Sequence, residues 1–334
     1  MTARAAHFRA VAERLTEEVF FPAAMAVDRA DRIPAEHLDL LADNGFYGVA
    51  APPEAGGLGI ADMTVAAHLV ETLASGYLAL AFVWIQHHGP VLAASFSQRP
   101  GVTERWLAPL ASGRRRGGIA LAGIRSGSAP MRVSPVDGGF RLTGESPWVT
   151  GWDMIDTIQV AARDDADVIH YLLVDAVAGP TLTPTPLELV AAQASRTVNL
   201  RFDDHVVAAD RLLSTQPYQE WLGSDAAGSA LNGFLALGVV NRCCRLLGPS
   251  PLDDELAGCR AVLLAADSAT TPAARAAASE LALRASATLA VSTGSRSILR
   301  DQHQQRLVRE AAFLLVFGTR PAIRAALLAR LSHP

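Results

Sequence analysis

Lysine is absent: all 29 basic side chains other than histidine are arginine. A phosphate loop of the Gly-x-x-x-x-Gly-Lys-Ser/Thr kind is therefore excluded. With alanine-rich helical segments, an all-arginine basic set reads as the codon bias of a GC-rich bacterial genome. Cysteine is scarce, at Cys243, Cys244 and Cys259. None has C-x-x-C spacing, so no metal site is expected, and buried thiols in a reducing cytoplasm fit best. Charge is low and nearly balanced, at a net −4, which leaves no electrostatic case for nucleic acid. Long apolar runs are lacking too; 261–266 is far too short to span a bilayer. The opening MTARAAH carries charge and no apolar core, so no signal peptide is expected.

What is present is a chain that is 50% hydrophobic and too long, at 334 residues, for one compact core. Residues 3–19 read as a helix with Ala6, Val11, Leu15 and Val19 on one face, ended by Pro22. Pro34 opens a helix through Leu41, and Asn44-Gly45 closes it with a left-handed cap. A Gly/Pro-rich loop over 46–59 precedes helices at 63–75 and 78–96, the second carrying Trp84, His87 and His88. A short helix holds Trp106-Leu107-Ala108-Pro109-Leu110.

From Gly117 the period falls to two. Strands are expected at 118–122, 131–135, 139–143, 157–162, 168–174 and 197–202, with a hairpin turn at Asp137-Gly138-Gly139. Turns about every ten residues suggest a small antiparallel barrel. Helices return after Ser224 or Asp225, either of which can cap a helix running to Leu247, where Gly233 and Gly238 permit close packing. Helices at 252–266 and 272–291 follow, then an apolar helix that stops at Gly318.

The ordered series Asp28, Pro34, Gly45, Pro53-Glu54 and Gly56-Gly57-Leu58-Gly59 resembles the N-terminal domain of the acyl-CoA dehydrogenase superfamily. The likeness continues through Trp106–Leu110, the segment GESPWVT at 144–150, the stretch 195–204 with Val207 and Leu212-Leu213, and Arg309-Glu310-Ala311 before Phe317-Gly318-Thr319. It implies an α+β fold in three parts: an N-terminal helical domain at 1–116, an antiparallel β-barrel at 117–214, and a shortened C-terminal helical bundle at 215–334. It also implies FAD, an acyl-CoA or carrier-bound acyl substrate, and α,β-dehydrogenation. By this resemblance Trp148, Val149 and Thr150 lie against the flavin, Gly127 and Ser128 hold its pyrophosphate, and Gly318 and Thr319 also belong to the cofactor-binding set.

The departures concern chemistry. Phe317 stands where the family has the glutamate that removes the α-proton, and a benzyl group cannot accept one. Ala122, Gly123 and Ala129 replace flavin-side polar residues, and the family's Arg-x-x-Phe-Gly segment is missing, so FAD binding is expected to be weakened. The catalytic candidates that remain are His87, His88 and Asp225, against the plainer reading of two helix histidines at a subunit contact and a helix cap. Three readings follow: a dehydrogenase with an unfamiliar base, a base-lacking subunit of a heteromeric dehydrogenase, or a flavin monooxygenase or non-redox enzyme on the same fold. A homo-oligomer is expected, or a hetero-oligomer with a complete dehydrogenase subunit.

Overall fold

The computed structural model describes residues 2–59, 63–125, 130–224 and 229–332. Helix α1 (Ala3–Leu15) starts at Thr2, whose hydroxyl accepts the Ala5 N–H at 3.2 Å. Its buried face is Ala5, Phe8, Val11, Ala12 and Leu15. Ala6 points outward and Val19 is half-buried, so the expected face is rotated. Phe8 sets the phase, because its ring packs edge-on against Phe46 at 5.4 Å. A π-turn (Thr16–Phe20) leads directly into α2 (Phe21–Val27). Pro22 therefore does not end the helix; it sits in a first turn, where a missing N–H is tolerated.

Helix α3 (Ala35–Asp43) ends at Gly45, which adopts φ 75°. The 46–59 loop is drawn tight around Gly57, where a Cβ would lie 1.8 Å from the Ala51 carbonyl oxygen. Helices α4 (Met63–Gly76), α5 (Leu78–Ser95) and α6 (Val102–Ala111) complete the first part. Residues 78–84 of α5 are all buried, which makes it the central helix.

Among the described residues eight strands follow: β1 (Gly117–Ala120), β2 (Arg132–Val136), β3 (Gly139–Val149), β4 (Thr157–Arg163), β5 (Val168–Asp175), β6 (Leu182–Pro186), β7 (Val198–Ala208) and β8 (Leu212–Pro217). They form one sheet in the order β6-β7-β3-β2-β4-β5-β8, with β1 parallel to β4. This corrects the antiparallel barrel. The sheet is mixed, since β2 also meets β4 in parallel, and it is open, with β6 and β8 at its two edges. Turn spacing counts strands, but it does not reveal whether the first and last meet. The β2–β3 hairpin does form at Gly138, at φ 71°.

The last part comprises α7 (Tyr218–Ser224), α8 (Asn232–Leu247), α9 (Leu252–Ala265), α10 (Thr271–Thr293), α11 (His303–Val316) and α12 (Pro321–Ser332). Ser224 closes α7 and does not cap α8; Asp225 lies outside the described residues. Helix α8 crosses α4 at Gly238, where a Cβ would sit 2.5 Å from both Ala74 Cβ and the Glu71 carbonyl oxygen. Ion pairs reinforce this contact between first and last parts. Arg242 reaches Glu17 at 2.6 Å, and Arg260 reaches the buried Glu71 at 2.6 Å. One apolar core runs continuously from α1 through α5, α8, α10 and α11. Among the described residues no helix is long and apolar enough to cross a membrane, and no cluster of three or more His, Cys, Asp or Glu could hold a metal.

Candidate active site

The helices and the sheet enclose a cavity of about 1100 Å³. One wall is α5, which presents Phe82, Ile85, Gln86, His88, Gly89 and Leu92. That spacing follows one side of a helix. Ile119 and Ala122 line it from the sheet side, Trp148 and Thr197 from β3 and the approach to β7, and Phe313 and Phe317 from the end of α11.

Trp148 holds an unusual conformation. Its φ is 62°, at a bulge where the β3–β7 register shifts between Ser146 and Val149. A bulky L-residue in the left-handed region costs about 1–2 kcal/mol. Its N–H donates to Asn199 Oδ1 at 3.3 Å, and its indole is 60% exposed at the cavity wall. Such strain collects where a side chain must be aimed at a ligand. Val149 instead points into the sheet core. Thr150 is buried behind Thr197; its hydroxyl lies 3.3 Å from Thr197 Oγ1, which lies 2.8 Å from Ser195 Oγ. The hydroxyl residue lining the cavity here is therefore Thr197.

Helix α11 ends at Val316; Phe317 is already extended, at ψ 127°, and Gly318 then turns to φ 59°. Thr319 Oγ1 donates back to the Val316 carbonyl at 3.1 Å. Behind the corner, the buried Arg275 guanidinium donates to the carbonyls of Phe317 at 3.2 Å and Ser229 at 3.0 Å. Burial, and then the nearby Arg320, push Arg275 down to about 10. The Phe317 ring meets Phe82 edge-on at 4.7 Å and stacks on Phe313 at 5.6 Å. Phe317, Gly318 and Thr319 all line the cavity.

The two neighbouring histidines differ completely. His87 Nε2 donates to the Leu110 carbonyl at 3.1 Å, and its Nδ1 accepts the Gly117 N–H at 2.8 Å. Both nitrogens are used in joining α5 to α6 and β1, and His87 does not line the cavity. Burial, then the neighbouring His88, hold its imidazole well below the usual histidine range. His88 does line the cavity, stands edge-on to Trp84 at 4.6 Å, and has no hydrogen-bond partner among the described residues at either buried nitrogen. Burial pushes it down to about 4.

Of the residues singled out in the sequence, Trp148, His88, Phe317, Gly318 and Thr319 thus share one wall system, while Val149, Thr150 and His87 stand behind it. Gly127, Ser128 and Asp225 lie outside the described residues. Among the described residues lining the cavity there is no carboxylate. Thr197, Asn199 and Arg275 carry no mark of a site residue in the sequence. Thr197 and Asn199 are two apart at a strand start, so period-two alternation alone put them on one face. Nothing local marks Arg275, whose role depends on a corner 42 residues away.

Residues 2–114 match the family model for the acyl-CoA dehydrogenase N-terminal domain. The chain is 25% identical over 220 residues to the mitochondrial 2-methylacyl-CoA dehydrogenase of Solanum tuberosum, covering 63% of this chain and 53% of that protein. It is 29% identical over 178 residues to benzylmalonyl-CoA dehydrogenase of Aromatoleum aromaticum, covering 51% and 46%. The chain spans about half the length of the curated relatives it matches. In fold it is similar to butyryl-CoA dehydrogenase from Megasphaera elsdenii, at a TM-score of 0.86 and 16% identity over 100% of this chain and 99% of that one. Glutaryl-CoA dehydrogenase from Mycobacterium smegmatis in complex with FADH2 gives 0.81 and 15%, over 100% and 96%.

Proposed function

We infer that this chain, which belongs to the acyl-CoA dehydrogenase superfamily, is an FAD-dependent oxidoreductase that takes an acyl thioester and removes hydrogen across its α,β bond. The observation that carries the reading is the cavity between Trp148 and the Phe317-Gly318-Thr319 corner. A strained indole on one wall and an aromatic cluster at the far end suit a flat ring and an apolar chain laid side by side. When bound, FAD supplies a two-electron acceptor for the hydride leaving the acyl β-carbon. Trp148 would lie against its ring system and Thr197 would offer a hydroxyl at its edge. Phe82, Phe313 and Phe317 would exclude water from the acyl chain.

The benzyl group of Phe317 cannot accept a proton, so in the parent the α-proton would pass slowly to water at the mouth of the cavity while the hydride goes to the flavin. That makes the substitution Phe317→Glu a direct test. The purified chain, with FAD added, is expected to show a stable visible flavin band that bleaches anaerobically with an acyl-CoA. Phe317→Glu is expected to raise the bleaching rate by about 10²-fold, the scale of a positioned general base. No band with excess FAD, or no gain in the variant with any acyl-CoA, would count against the reading. A second copy or a complete dehydrogenase subunit remains part of the proposal. Val291 and Ile298 in the C-terminal part are at least 79% exposed, as apolar side chains awaiting a partner surface are.

A further inference from the structure

We propose that His88 is the hydrogen-bond donor to a carbonyl oxygen of the ligand held in this cavity. The inference rests on the acyl-thioester reading and identifies the group that would grip the thioester. Both imidazole nitrogens are buried and neither has a partner among the described residues, which native structures seldom tolerate away from a ligand. The adjacent His87 shows the contrast, with both nitrogens satisfied by backbone. Trp84 stands edge-on to the His88 ring and limits its rotation. His88 lies six residues beyond Phe82 on α5, which is about 9 Å along the helix axis. An acyl tail packed on Phe82 and Phe317 would therefore bring a polar head group near His88.

A donor role suits the ring better than a proton-accepting one. Burial keeps the imidazole neutral, and a neutral imidazole carries one N–H to give. A histidine held neutral by its surroundings is a recognised way to polarise a carbonyl.

The test compares hexanoyl-CoA with hexyl-CoA, a thioether that lacks only the carbonyl oxygen. Binding is measured by calorimetry on the intact chain with FAD supplied, for the parent, His88→Leu and His88→Gln. The parent is expected to prefer the thioester by about tenfold, the scale of one hydrogen bond. His88→Leu should bind the two alike, and His88→Gln, which keeps an N–H donor, should restore part of the preference. Thermal melts of both variants establish that they fold. An unchanged preference in folded His88→Leu, or in the equally donor-free His88→Phe if the leucine variant does not fold, overturns the role of His88 alone. Failure of both probes to bind the parent overturns the acyl-thioester reading and this role with it.

Discussion

Trp148 and Phe317 face the same cavity but are held there by different forces. Phe317 rests in its aromatic cluster by ordinary packing. Trp148 is kept in the left-handed region by the bulge and the Asn199 hydrogen bond, and it is largely exposed. The strain can be measured from the rank of two substitutions. At an ordinary position alanine is at least as stable as glycine, because glycine loses more backbone entropy on folding. At 148 the order should invert, with Trp148→Gly about 1 kcal/mol more stable than Trp148→Ala in denaturant melts. Both should lose flavin absorbance relative to the parent. Equal flavin retention would show that the strained indole serves something other than the cofactor.

At the scale of the element, the contact of α4 with α8 is set by one missing side chain. A Cβ at Gly238 would meet Ala74 and the backbone of Glu71, so the helices approach as closely as they do because nothing stands between them. Gly238→Val should destabilise the chain by about 1–3 kcal/mol, the usual cost of overpacking. Gly258 on α9 has no neighbour within 4 Å of a built Cβ. Gly258→Ala should therefore stabilise by about 0.5–1 kcal/mol, from helix propensity and unfolded-state entropy. The pair of chemical denaturation midpoints checks both signs. Similar small shifts for the two would mean that α4 and α8 can separate freely.

Across the whole molecule, the first and last helical parts are one body. Phe20, Tyr77 and Leu80 share a core with Leu237, Leu281 and Leu314, and charges cross the same boundary. Arg306 pairs with Glu310 at 2.7 Å in the interior, and Glu310 also accepts the Leu78 N–H at 3.3 Å. Residues 1–116 expressed alone would expose that shared surface. The fragment should lack a cooperative thermal transition and a dispersed amide spectrum, whereas the intact chain should lose both helical parts in one transition. A fragment that melts cooperatively by itself would show that the N-terminal part has a core of its own.

Much of this was legible in the residues. Helix ends at Gly45 and Gly318, the Gly138 hairpin and the change of period at Gly117 follow from local backbone preferences, which any short stretch carries within itself. That the Phe317 side chain cannot accept a proton is likewise a matter of residue type. Tertiary structure decided the rest, because the deciding partner is distant in the chain. It left the sheet open, turned Thr150 behind Thr197, and brought Leu110 and Gly117 to His87 while bringing no partner to His88 among the described residues. Two adjacent histidines are the same residue type on the same helix. Only the packing of α6 and β1 around α5 determines that one is saturated and the other faces the cavity.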